Sequence, residues 1–170
     1  PITDCPEYDI ENFDKIARHI ENSIMRGLVD CKDTDIIIYS DNDEIIRSES
    51  AKKGIFIVED NIIRHGPSKE VVCHLRLLQC RYWINCMLRK SGFDAGGPVI
   101  STYKLFKELG GWRMRHIYNG IPSVDVFDAG WHYSWLGPKE FIKQKLNDTV
   151  DQSYILSEMY DNKYIEDVLN

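Results

Sequence analysis

Asp41, Asp43 and Glu44 stand directly after the apolar run Ile36-Ile37-Ile38-Tyr39. Carboxylates gathered at a buried strand end repel one another and resist desolvation, so a hard cation that prefers oxygen ligands is their natural partner. One residue separates Asp41 from Asp43, which lets both side chains point to the same side of an extended chain. The plainer alternative is a polar turn of Asp and Asn that only ends the strand.

A second stretch, Asp128 to Gly137, sets Trp131, His132, Tyr133 and Trp135 among glycines. Gly130 and Gly137 let the backbone approach a ligand, and the aromatic faces suit sugar rings and bases. The His132 imidazole can bind a metal or a phosphate. A histidine between aromatics is also commonly a hydrogen-bonded core residue, so this stretch alone decides nothing.

As a pair, the two stretches resemble the glycosyltransferases of family 17, the β-1,4-mannosyl-glycoprotein N-acetylglucosaminyltransferase-like enzymes. The family pattern around the acids is similar to I-S-D-V-D-E-I-P; this chain has Tyr39-Ser40-Asp41-Asn42-Asp43-Glu44-Ile45-Ile46. Around the histidine the pattern is similar to A-G-W-H-x-S-W, and here it is Ala129-Gly130-Trp131-His132-Tyr133-Ser134-Trp135. Asn22 to Leu28 and Tyr82 to Asn85 are similar too, so the resemblance runs in order from about residue 20 to about residue 146.

The resemblance implies a GT-A-like, Rossmann-related mixed sheet with flanking helices. It also implies metal-dependent, inverting transfer of a sugar, N-acetylglucosamine first, from a nucleotide-sugar donor such as UDP-GlcNAc to a hydroxyl of a glycan or glycoprotein acceptor. Carried over by position, Asp41 and Asp43 are the metal-site acids. Asp43 binds Mn2+ or Mg2+ directly, and Asp41 reaches the ribose or metal-bound water. His132 completes the metal shell or holds the diphosphate, Glu44 orients the loop or binds a sugar hydroxyl, and Trp131 offers its face to the donor. The family has a strand-helix-strand unit ahead of the matched stretch. The expectation here is a domain without that unit, either the carboxyl-terminal part of a larger GT-A domain or a reduced member. Ile46 stands where the family has proline, and Glu21 where it tends to have a basic residue.

A leaving nucleoside diphosphate gathers negative charge, and a cation held by fixed carboxylates stabilises that charge where it develops. Arg113 and Arg115, on one face if Trp112 to His116 is a strand, would add guanidinium forks to the phosphates; otherwise they are surface charges flanking a buried Trp112 and Met114. Inverting transfer also needs a carboxylate to take the acceptor proton. Asp128 is the first candidate and Asp125 the second. A phosphatase of the haloacid-dehalogenase type would use the first Asp as nucleophile, but that scheme wants Gly-Thr soon after the second acid, and Glu44-Ile45-Ile46 follows here. A degenerate, non-catalytic glycan-binding or assembly module is the remaining alternative.

The elements that must position these residues are legible in outline. Ile36 to Tyr39, apolar on both faces, predicts a short central strand of a covered, largely parallel sheet. Phe13, Ile16, Ala17, Ile20, Ile24 and Leu28 have the spacing of an amphipathic helix over 12–28. Ser48 to Lys53 reads as a short helix or turn, Gly54 to Val58 as a strand, and Ile62-Ile63 as part of a turn region. Val71 to Leu78 and Arg81 to Leu88 predict antiparallel strands, Ser91 to Pro98 a loop and Val99 to Leu109 a short helix. Val124 to Phe127 is extended, Pro138 opens a helix with Phe141, Ile142, Lys145 and Leu146 on one side, and 151–170 is helical.

At 170 residues and 43% hydrophobic, the chain is expected to form one domain, 1–170, with a real core. The net charge of −6 argues against a general nucleic-acid partner. No stretch is apolar enough for a membrane span and the first residues lack signal-peptide features, so the expected location is cytoplasmic. Five cysteines with no C-x-x-C pair predict reduced thiols rather than a disulfide framework or zinc site.

Overall fold

The computed structural model describes residues 13–66, 69–81, 84, 87, 96–116, 120–134 and 136–148, and shows an α/β protein with two mixed sheets and flanking helices. The amphipathic segment forms α1 (Phe13–Ser23), and a 3-10 turn, Ile24–Gly27, follows it. The β-branched run forms β1 (Ile36–Tyr39), and the acids lie in the turn that leads to β2 (Glu44–Ile46). Then come α2 (Ser48–His65), β3 (Val72–Leu75), β4 (Leu78–Arg81), β5 (Val99–Thr102), α3 (Tyr103–Leu109), α4 (Gly111–His116), β6 (Ser123–Val126), β7 (Gly130–Ser134) and α5 (Lys139–Asp148).

The first sheet has the order β1-β5-β3-β6 and the second β2-β7-β4. Consecutive strands β1 and β2 therefore belong to different sheets, and the acidic turn is the passage between them. Alternation of side chains across the first sheet separates two cores. On one face Cys73, Leu75 and Ile100 pack with Val58 of α2; on the other Tyr39, Val72 and Val99 pack with Phe106 of α3 and Met114 of α4. Phe106 is fully buried, so cutting it to alanine should cost about 3–5 kcal/mol. The Thr102 side chain caps α3 by accepting from the Leu105 amide at 3.2 Å, and Gly110, at φ 75°, ends that helix.

Several expectations are corrected. Among the described residues β1 is an edge strand, not a central one; its only strand partner, β5, is antiparallel, and Ile38 is 41% exposed. In the first sheet only β3 and β6 run parallel. Gly54 to Val58 and Ile62-Ile63 belong to the helix α2: Ser50, Gly54 and Val58 are buried at four-residue spacing, and a Cβ at Gly54 would press on Ile100 and Cys73. That close helix–sheet packing outweighs the strand propensity of Ile, Phe and Val. The expected strand 71–78 is divided between β3 in the first sheet and the start of β4 in the second. Of the expected strand 81–88 only Arg81, the end of β4, belongs to a strand among the described residues, and residues 99–102 are a strand rather than the start of a helix. Trp112 to His116 lies in a helix, for a reason given below. The segments 82–83, 85–86, 88–95 and 151–170 lie outside the described residues.

Among the described residues Cys31, Cys73 and Cys80 are free thiols, and no helix is long and apolar enough to cross a membrane.

Candidate functional site

Three elements converge on the acidic turn. Strand β7 pairs antiparallel with β2 in the register Glu44↔His132, and the Tyr133 amide donates to the Asp43 carbonyl at 2.9 Å. This ladder brings His132 Nε2 to 3.7 Å from Asp43 Oδ1, although the two residues are 89 positions apart in the chain. Helix α5 then returns Lys145, whose Nζ lies 3.9 Å from Asp43 Oδ2. The imidazole and the carboxylate are too far apart for a direct hydrogen bond and close enough to attract each other when the imidazole is protonated. His132, with Lys145 behind it, holds the Asp43 carboxyl below its ordinary pKa against the opposing effect of burial.

Helix α4 supplies the anchor. Arg115 is buried, and its guanidinium spans three acceptors: Asp41 Oδ2 at 2.7 Å, Glu44 Oε1 at 2.7 Å and the Gly96 carbonyl at 2.8 Å. The second Glu44 oxygen accepts from the Asp41 amide at 2.6 Å and the Ser40 hydroxyl at 3.0 Å. Burial raises the Glu44 pKa, and Arg115 is the largest influence lowering it. With three donors converging on it, the carboxylate is ionised at neutral pH. Burial alone would lower the Arg115 pKa; the Glu44 and Asp41 carboxylates outweigh it and push the value up. Glu44 thus ties the turn to helix α4.

The expected site residues divide clearly. Asp41, Asp43, Glu44, Arg115 and His132 come together. Arg113 does not: in a helix, residues two apart point to nearly opposite sides, so Arg115 enters the acid cluster while Arg113 is exposed on another face. Trp131 alternates with His132 along β7 and so faces the other side of the second sheet, in register with Ile45 and Leu78 and covered by the Arg47 guanidinium at 3.9 Å. Asp128, with φ 52°, pairs with Arg47 at 3.1 Å, and Arg47 covers Trp131 on the face of the second sheet away from His132. Asp125 pairs with Arg76 at 2.8 Å on β6, three strand spacings or about 14 Å from β1. Neither aspartate is therefore carried forward as the base.

Lys145 is the residue whose role was not read from the sequence. Its signal was faint: it lies three positions after Ile142, which is buried, on the apolar side of the helix that follows the Trp-His stretch.

The divalent cation implied by the resemblance can be tested against these donors. An ionised Asp43 oxygen and a neutral imidazole nitrogen are suitable ligands, and donors about 2.1 Å from one ion stand about 3–4 Å apart when they are not opposite each other. The observed 3.7 Å falls in that span. Asp41 commits one oxygen to Arg115. Among the described residues no group of three or more His, Cys, Asp and Glu side chains is disposed to hold a metal ion. Asp43 and His132 are two donors only, so a cation held there would have to take its remaining ligands from phosphate oxygens and water, with Lys145 close by.

No protein-family model, curated protein or solved structure matches the chain.

Proposed function

We propose that the chain is a metal-dependent, inverting glycosyltransferase of GT-A type. It would move a sugar, N-acetylglucosamine first, from a nucleotide-diphosphate donor such as UDP-GlcNAc to a hydroxyl of a glycan or glycoprotein. The observation that carries this reading is the 3.7 Å approach of Asp43 and His132, the two residues that the paired motifs single out. Their position supports it as well, because open α/β sheets bind ligands outside the carboxyl ends of their strands, and the acids follow the carboxyl end of β1.

Asp43 and His132 would hold the cation, Mn2+ or Mg2+. When bound, it stabilises the negative charge that collects on a departing diphosphate. Lys145 adds a positive charge at the same place. Arg115 and Glu44 keep the turn in one conformation, so that Asp43 meets its ligand without reorganising.

A non-catalytic glycan-binding module is the second reading, favoured by the hold of Arg115 on Asp41. One experiment separates the two. Thermal shift and turnover are measured with UDP-GlcNAc and other nucleotide sugars, with and without Mn2+, on the native chain and on Asp43→Ala. Mn2+-dependent stabilisation and turnover that vanish in Asp43→Ala support the transferase. Glycan binding that needs neither donor nor metal and survives the substitution supports the module, and no response to any nucleotide sugar sinks the transferase.

A further inference from the structure

A second cleft of about 310 Å³ lies between α1 and the α3–α4 corner, lined by Arg18, Asn22, Leu109, Trp112 and Arg113. We propose that this cleft binds a tetrahedral oxyanion carried on a small molecule, a phosphate monoester in first place. It does not depend on the transferase reading, and nothing in that reading uses it.

The argument starts from charge. The chain carries a net charge of −6, yet the residues lining this cleft include two arginines, an amide and no acid. Arg113 is exposed and forms no hydrogen bond or ion pair with the described residues. A guanidinium that only served solubility would as readily lie over open solvent; this one rims a concave site beside a second guanidinium.

Geometry is the second step. Arg18 lies over the Trp112 ring, its Cζ 4.1 Å from the ring centroid. Stacking engages the face of the guanidinium and fixes its plane, so Arg18 loses little freedom when a ligand enters beside it. Arg18 and Asn22 are four apart on α1 and share one side of that helix, while Leu109, Trp112 and Arg113 approach from the other wall. The walls meet closely, since a Cβ on Gly110 would overlap Asn22 Oδ1. The Arg113 fork, with the positive charge of Arg18 and the Asn22 amide beside it, suits the several oxygens and higher charge of a phosphate better than the two oxygens of a carboxylate. The volume is at the low end for ligand sites and suits a phosphate with a sugar-sized group attached.

Acids from the candidate active site do not reach this cleft, because Arg115 and Arg113 leave α4 in nearly opposite directions. Phosphate also has reason to visit the Asp43 region, where Arg115, His132 and Lys145 gather, so the test must tell the two places apart.

The full chain is titrated with glucose 6-phosphate, inorganic phosphate, sulfate and acetate at low salt, following the Trp112 indole N–H by NMR. The expected result is saturable binding of glucose 6-phosphate that shifts the Trp112 signal. It should weaken at least about tenfold in Arg113→Gln and in Arg18→Gln, weaken less in Arg113→Lys, and stay unchanged in Asp43→Ala. Inorganic phosphate binding as tightly as the monoester would assign the site to the free ion while keeping the oxyanion assignment. The proposal is overturned by any of four results: no saturable binding, equal binding in Arg113→Gln, acetate binding as well as phosphate, or loss of binding in Asp43→Ala.

Discussion

Arg115 of α4 donates to Glu44, the first residue of β2, at 2.7 Å, and both side chains are closed off from solvent. Removing one partner would leave a charge buried and uncompensated, which costs about 3–5 kcal/mol. Glu44→Ala and Arg115→Met are each expected to lose that much in urea denaturation. Arg115→Lys should lose a comparable amount, because an ammonium cannot span Asp41, Glu44 and the Gly96 carbonyl as the planar fork does. Glu44→Ala combined with Arg115→Met should cost less than the two single changes added. A single-variant loss below about 1 kcal/mol would remove this pair as the anchor of the acidic turn.

The contrast between Asp43 and Asp128 gives a prediction about activity. Under the proposed function, Asp43→Asn should lower kcat by about a hundredfold or more while leaving the melting temperature near that of the native chain. Asp128→Asn should keep kcat within about twofold. Its partner Arg47 makes an exposed pair worth at most about 1 kcal/mol, and asparagine tolerates the left-handed backbone at φ 52°. Steady-state kinetics on both variants checks this; a large kcat loss in Asp128→Asn would return that residue to the role of base.

Local chemistry was the legible part of the chain. The run Ile36 to Tyr39 and the acids after it need only propensity and polarity to be read as a strand and its turn. That β1 is an edge strand depends on which other strands find it, and no local signal carries that. Helix α2 was hidden by Ile55, Phe56, Ile57 and Val58, which favour strands; its evidence was the four-residue spacing of Ser50, Gly54 and Val58. Helix α4 was hidden by a charge. Gly111, Met114 and Arg115 are buried at helical spacing, but an arginine marks a buried face only when its carboxylate partners, here 71 and 74 positions away, are known.

Gly130 tests how strictly β7 must approach β2. Its φ is 149°, and a Cβ there would overlap the backbone carbonyl oxygen of Ile45, which cannot swing aside as a side-chain tip can. Gly130→Ala should therefore cost more than about 2 kcal/mol and, under the proposed function, weaken the binding of Mn2+ at Asp43, because the same ladder carries His132. Gly120, also at positive φ but with open space around it, is the control: Gly120→Ala should cost only about 1 kcal/mol. Urea midpoints of the two variants settle the comparison, and equal losses would mean that backbone strain alone, not the approach of the strands, governs Gly130.

His74 makes the fold sensitive to acid. It lies in the middle of β3, 3% exposed, between Val99 on β5 and Asp125 on β6, with Arg76 two residues on. Burial, and after it the positive charge of Arg76, lowers its pKa from 6.5 to about 4; Asp125 opposes them and does not prevail. The unfolded chain takes up the proton at about pH 6.5, while the folded one stays neutral until near pH 4. Stability from this residue is thus complete above pH 6.5 and falls as the pH drops through that window, by about 2–3 kcal/mol at its lower end. His74→Leu, which cannot titrate, should flatten this part of the profile while leaving the carboxylate contributions in place. Urea denaturation of both proteins at pH 7 and pH 4.5 measures the difference, and parallel losses in the two would show that the proton is taken up elsewhere.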